Sequence, residues 1–171
     1  MSIHSEHPFL EPASHRDQAR RLRGRLGSAV SLWTAGVGAG RAGLTVSSLL
    51  VAPGEPARVI GLLDPDADLV QAARESGTAV VQLLQWPHRD LADAFAGVAP
   101  APGGLFRAGT WEDSTWGPVL QGVSAWAGIR LVGPGTDVGW SVLLDGVVEH
   151  LELLEEDEPL LHRRGRYVRP S

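Results

Sequence analysis

The stretch AGLTVSSLLVAPGEPARVIGLLD, residues 42–64, decides the reading of this chain. Residues 42–51 read as one strand, yet small and hydroxylated side chains cluster where a strand ordinarily carries bulk. Thr45, Ser47 and Ser48 offer hydroxyls and accessible main-chain amides without size, which suits close approach by a planar polar ligand. Thr and Ser on the solvent face of an ordinary strand would produce the same cluster. Pro56 then bounds the apolar run 59–63, a short strand expected to be buried on both faces.

Upstream, Ser14 and Asp17 suggest a capping box, and Ala19, Leu22 and Leu26 follow at helical spacing until Gly27. Residues 28–36 alternate as a strand, and residues 36–40 form a glycine-rich hairpin turn. Those glycines lack the following helix and lysine of a phosphate loop. Downstream, Asp64 and Pro65 are expected to open a helix that runs to Ser76 and stops at Gly77. A strand over 78–84, a short helix over 89–96 and a Pro/Gly-rich loop over 98–104 follow. Residues 118–132 and 138–154 read as long strands joined by a turn at 133–135, with an acidic turn at 155–158 and a tail that returns as a last strand. Strands outnumber helices, and most connections are too short for parallel crossovers. The expected fold is therefore an antiparallel barrel with a few peripheral helices, all-β to α+β. Residues 1–13 read as an extended arm and 14–171 as a single domain.

The chain has 171 residues, 43% of them hydrophobic, enough for one ordinary core. Cysteine is absent, which excludes disulfides, thiolate metal sites and cysteine nucleophiles. Every basic side chain is Arg, so no lysine is available for a Schiff base or a phosphate. A net charge of −5 with one short Arg cluster, at Arg163, Arg164, Arg166 and Arg169, argues against general nucleic-acid binding. No stretch approaches membrane-spanning length and no leader is evident, so a cytoplasmic protein is expected. The six histidines are scattered and suggest no metal site. Of the six tryptophans, Trp33 and Trp126 sit in strand patterns and are expected in the core. Trp111, Trp116 and Trp140 are candidates for a pocket wall or a dimer interface.

Gly43-Leu44-Thr45-Val46-Ser47-Ser48, the proline-bounded strand from Pro56 to Leu63, and the closing Gly165-Arg166-Tyr167 occur here in an order that resembles the flavin reductase-like family. The resemblance runs from Arg20 to Arg169. It implies an antiparallel Greek-key FMN-binding split barrel, a homodimer, and an NAD(P)H:flavin oxidoreductase that reduces FMN, or FAD, with NADH or NADPH for a separate monooxygenase. It further implies flavin contacts from Thr45, Val46, Ser47, Ser48, Leu62, Leu63 and Asp64, and from Arg164, Arg166 and Tyr167 of the tail. Trp140 and His162 would lie on the nicotinamide side. The chain departs from the family where relatives carry Ser and Thr for the flavin phosphate, since Asp66 and Asp68 stand there. It departs again where Val138, Gly139 and Trp140 replace a Gly-Asp-His stretch. Carboxylates beside a phosphate repel it, and an indole cannot transfer a proton. These departures keep a second reading open: a split-barrel protein without turnover, binding flavin, another planar ligand or nothing.

Overall fold

The computed structural model describes residues 13–155 and 158–170, with side chains from residue 18 onward. Helix α1 (Ala13–Leu26) leads into β1 (Ser28–Ala29) and β2 (Ser31–Ala35), then β3 (Ala42–Val46), β4 (Leu49–Ala52) and β5 (Arg58–Leu63). The middle of the chain forms α2 (Asp68–Ser76), β6 (Thr78–Leu83) and α3 (Arg89–Phe95). After it come β7 (Trp111–Asp113), β8 (Pro118–Leu120), β9 (Ala125–Leu131), β10 (Thr136–Val138), β11 (Ser141–Leu153), β12 (Leu161–Arg163) and β13 (Arg166–Val168).

The main sheet runs β3-β2-β6-β9-β11-β5-β4, with β10 also paired to β11. Each pairing in it is antiparallel. Its two outermost strands, β3 and β4, are separated in sequence by only Ser47 and Ser48. Laid flat, six inter-strand steps would put these edges ~29 Å apart. The chain from Val46 to Leu49 reaches ~11 Å at most. The sheet must therefore curl until its edges meet at Ser47–Ser48, and the expected antiparallel barrel is what forms.

Several expected strands break where the chain changes partner. Residues 28–36 divide at Val30, because β1 pairs with the tail strand β12 while β2 lies between β3 and β6. Residues 42–51 divide at the barrel closure. Residues 118–132 divide into β8, which pairs with β7, and β9, which pairs with β6 and β11. The late hairpin turns at Gly139 and Trp140 between β10 and β11, not at 133–135, and Gly139 takes a φ of 55°. The tail forms a hairpin of two strands, β12 and β13. Strand β5 is buried on one face only: Val59 and Leu63 point into the core while Leu62 is 39% exposed. Helix α2 starts at Asp68, three residues later than expected, because the Asp64 carboxylate accepts the Asp66 N–H (2.9 Å) and holds a turn ahead of it. Gly77 ends α2 in the left-handed conformation, as expected.

Two apolar clusters flank β2, which explains why all five of its residues are buried. Trp33 and Ala35 face the barrel core with Val59, Leu63, Ile129, Leu144 and the inner side of α2. Leu32 faces the second cluster, built on Leu91, Ala92 and Phe95 of α3. Gly43 is needed there, since a Cβ at that position would lie 2.5 Å from the Phe95 ring. Trp33 is fully buried as expected, whereas Trp126 packs only against the edge of the second cluster. It stands half-exposed beside His150 (4.5 Å between rings), and its Nε1 donates to Glu152 (2.9 Å). Trp116 stacks on the same imidazole at 5.3 Å. Gly27 ends α1 with a φ of 64°, yet the helical stripe does not reach the core, for Leu22 and Leu26 are 65% and 74% exposed. The arm expected over 1–13 lies outside the described residues apart from Ala13. So do the side chains of the Ser14–Asp17 capping box and residues 156–157 of the acidic turn. No described helix is long and apolar enough to cross a membrane.

Candidate functional site at the barrel closure

A cleft of about 930 Å³ opens where the sheet edges meet. One wall is β3 and the Ser47–Ser48 crossing, and the other is β5 with Leu50 of β4. The end of α1 and the tail, through His162 and Gly165, close one side. Its volume lies near the top of the about 300–1,000 Å³ range of ligand clefts.

The alternation of β5 shapes the floor. Ile60 and Leu62 face the cleft side, while Gly61 backs onto the buried indole of Trp33; a Cβ on Gly61 would lie 2.7 Å from Trp33 Cζ2. The indole is fixed in turn, its Nε1 donating to Ser31 Oγ (3.1 Å) and that hydroxyl donating to the Val46 carbonyl (2.6 Å). At the crossing, the Ser48 carbonyl accepts the Leu62 N–H (2.9 Å), which ties the two walls together. The Ser47 and Ser48 hydroxyls make no hydrogen bond to another described residue and stand half-buried at the cleft. Thr45 is different, because its hydroxyl donates to the Ala92 carbonyl (2.7 Å) and so anchors α3.

Of the residues expected from sequence, Thr45, Val46, Ser47, Ser48, Leu62, Leu63, Asp64 and His162 line this one cleft. Val46 and Leu63 border it from the core, with their side chains almost fully buried. Asp64 is at the wall, but Asp66 and Asp68 are not among the lining residues, and the Asp64 carboxylate is engaged by the Asp66 amide. Arg164 lines a separate, smaller cavity beside the first. Arg166 and Trp140 line neither. Tyr167 lies away from the cleft in the second apolar cluster, its hydroxyl donating to Asp93 (2.7 Å). Burial first, then the bond to the Asp93 carboxylate, pushes the Tyr167 phenol well above its ordinary pKa. His162 meets the Tyr167 ring edge-on at 5.8 Å.

The sequence reading missed the contribution of α1, which brings Arg20, Arg23 and Leu26 to the cleft, and of Leu44, Ile60 and Leu143. The exposed Leu26 is explained here: it faces the cleft mouth and not a core. Its helical spacing with Leu22 was the available signal.

A family model described as a flavin reductase like domain matches residues 23–171. The chain belongs to this flavin reductase-like family. It is 33% identical over 122 residues to the FMN reductase (NADH) RutF of Ancylobacter novellus, covering 71% of this chain and 67% of that protein. It is 26% identical over 156 residues to the 4-hydroxyphenylacetate 3-monooxygenase reductase component of Pseudomonas aeruginosa, covering 90% and 89%. Among solved structures, the NADH:FAD oxidoreductase SgcE6 of Streptomyces globisporus superposes with a TM-score of 0.82 at 24% identity, covering 95% of this chain and 96% of that one. That likeness is one of fold, and the fold is the split barrel.

Proposed function

We propose that this chain is an NADH-dependent flavin reductase that reduces FMN, or FAD, and releases it to a separate oxygenase. The observation that carries the reading is the cleft at Ser47–Ser48, in a chain whose family relatives are named as NADH-dependent FMN reductases and as a monooxygenase reductase component. The residues present fit a flavin. Apolar Leu44, Ile60 and Leu62 suit the faces of a flat ring, and the uncommitted Ser47 and Ser48 hydroxyls suit its polar edge. Arg20 and Arg23 at the mouth suit a phosphate.

When bound, flavin itself supplies the redox chemistry, accepting hydride from the nicotinamide. The protein contributes position. Its rigid floor, with Gly61 pressed on the buried Trp33, fixes the height at which a ring can lie. The crossing orients the polar edge, and the apolar walls exclude water from the space above it. His162, half-buried on the tail side, brings an imidazole to the cleft. Trp140 does not line the cleft of one chain; it is 45% exposed on the β10–β11 turn, beside the 44%-exposed Val138 at the rim.

A homodimer is part of this proposal. Leu50 and Val51 on the edge strand β4, and Leu22 and Leu26 on α1, are each more than 60% exposed, and Leu50 and Leu26 line the cleft. An apolar rim beside an unpaired strand edge is the kind of surface a second copy covers. A cytoplasmic location, where reduced nicotinamide dinucleotide is supplied, completes the reading.

The test is titration of FMN and of FAD into the protein, followed by tryptophan fluorescence, with flavin-dependent NADH oxidation measured alongside. Saturable quenching and turnover that needs added flavin are expected. Absence of both at high flavin concentration would refute the reading and leave a split barrel without turnover.

A further inference from the structure

We propose that Tyr167 and Asp93 are positioning residues, joined as a latch that holds the tail hairpin on α3 and so sets where His162 stands in the cleft. The positioning is a property of this chain by itself; its consequence for turnover rests on the flavin reductase reading above.

His162 lies on β12, the middle strand of the small sheet β1-β12-β13. It is paired with Ser28 on one side and with Tyr167 on the other. Residues directly opposed in an antiparallel pair point to the same face. The imidazole and the phenol therefore stand side by side, with ring centroids 5.8 Å apart and planes at 67°. From that pair of strands, His162 reaches the cleft and Tyr167 does not. The phenol ring instead packs on the second apolar cluster, to which α3 gives Leu91, Ala92 and Phe95, and its hydroxyl donates to Asp93 Oδ1 (2.7 Å).

Helix α3 is the fixed partner in this contact. Its Phe95 is packed onto Gly43 of β3, and its Ala92 carbonyl accepts the Thr45 hydroxyl (2.7 Å). Two successive residues of one helix thus hold the two sides of the cleft: Ala92 takes the β3 wall through its carbonyl, and Asp93 takes the tail through its carboxylate. Ala96, just past the helix end, lines the cleft between them. The helix acts as a spacer, and the span from Thr45 to His162 is referred to it at both ends. Packing alone does not require the hydroxyl, since a phenylalanine ring at 167 would fill the same apolar space. The hydroxyl adds a direction and a length, and so selects one docking of the hairpin on α3. A hydroxyl donating to a carboxylate is charge-assisted, and partial burial strengthens it. The raised pKa of Tyr167 keeps that donor proton in place throughout the neutral range. Main-chain bonds hold the same hairpin elsewhere, to β1 and, through the Arg164 N–H, to the Gly24 carbonyl (2.8 Å) of α1. The tail is therefore expected to stay folded when the latch is broken, with His162 displaced. Tyr167 acts on the cleft through His162 and not as a flavin ligand.

The experiment uses the full chain and two readouts, each at a temperature where every variant is folded. The first is the imidazole NMR spectrum of the free protein, in which His162→Gln identifies the His162 signals among those of the six histidines. The second is flavin-dependent NADH oxidation, with kcat and KM for NADH measured separately. Tyr167→Phe and Asp93→Ala break the latch, while Asp93→Asn keeps an acceptor oxygen at the same place. The His162 signals are expected to move in Tyr167→Phe and Asp93→Ala and to return close to those of the wild type in Asp93→Asn. Tyr167→Phe should lower kcat/KM for NADH by about threefold or more, and should add no further loss to His162→Gln, because coupled residues are not additive. A merely structural bond would lower Tm, leave the His162 signals in place and give losses that add. Unmoved His162 signals in Tyr167→Phe, additive losses with His162→Gln, or Asp93→Asn no better than Asp93→Ala would each overturn the proposal. A wild type that neither binds FMN nor oxidises NADH, with His162 signals that still move as expected, would sink the flavin reading and leave the latch standing.

Discussion

Gly61→Ala is the most direct probe of how the cleft is built. The added methyl would lie 2.7 Å from Trp33 Cζ2 and 3.0 Å from Cη2, closer than carbon atoms tolerate. The indole cannot swing aside cheaply, because Trp33 is fully buried and its Nε1 is bonded to Ser31. The strain therefore falls on packing, and inserting a methyl into a filled core costs roughly 1–3 kcal/mol. For a chain of this size each kcal/mol lowers Tm by ~2–4 °C, which predicts a drop of ~2–12 °C. Gly40→Ala is the control: a Cβ there meets nothing within 4 Å, and the change should be neutral or stabilising by up to ~1 kcal/mol through the unfolded chain. Pairing Gly61→Ala with Trp33→Phe removes the clashing ring atoms. The double variant should be more stable than the sum of the two single changes by ~0.5–3 kcal/mol. FMN affinity should fall in Gly61→Ala and recover in part in the double variant. Thermal melts and a fluorescence titration read all of this. A Gly61→Ala protein that melts with the wild type and binds FMN equally would refute the account of the floor.

Three further outcomes follow from individual side chains. Changing Asp66 and Asp68 together to Ser should leave FMN affinity within about twofold, because neither lines the cleft, and should cost ~0.3–1 kcal/mol through loss of the acidic first turn of α2; much tighter FMN binding would show that they do face the phosphate. Tyr167 is the only tyrosine, so phenolate absorbance reports it alone: no ionisation should be seen at about pH 10, where free tyrosine is half ionised, and Tyr167→Phe should destabilise by about 1–3 kcal/mol. Burial holds His88 below the ordinary imidazole pKa, and its Nδ1 accepts the Gln85 N–H (2.9 Å), so the folded protein prefers it neutral. The unfolded chain then takes up a proton first as pH falls, so the stability His88 provides is present above about pH 6.5 and lost below it; denaturant melts of wild type and His88→Asn should converge between about pH 7.5 and 5, and a gap that is constant with pH would contradict this.

Much of the barrel could be read from local pattern, since strand periods, glycine turns and short connections all act over a few residues. The breaks could not. Nothing in residues 28–36 distinguishes Val30 from its neighbours; it ends β1 because the tail, 130 residues away, pairs there. Strand β5 looked buried on both faces because its side chains are apolar throughout, yet one face is a cleft wall, and a ligand surface and a core have the same composition there. The docking of the tail on α1 was not legible, because only the folded turn at Arg164–Gly165 brings the two segments together.

The Ser47–Ser48 pair was legible for a reason that joins fold to function. A chain that must pass from one sheet edge to the other within two residues can carry only small side chains there. It must also leave the ladder on one side before joining it on the other, so its polar groups are partly unclaimed. The Ser48 carbonyl is taken by Leu62, while the Ser47 and Ser48 hydroxyls remain open to the cleft. Topology thus places a small, polar crossing at the rim of an apolar groove before any ligand is considered. Closure alone would be served as well by alanine or glycine. Hydroxyls at both positions are what a ligand with a polar edge adds to that requirement, and Ser47→Ala with Ser48→Ala separates the two: an intact Tm with weakened FMN binding assigns the hydroxyls to the ligand, and unweakened binding assigns them to nothing beyond the crossing.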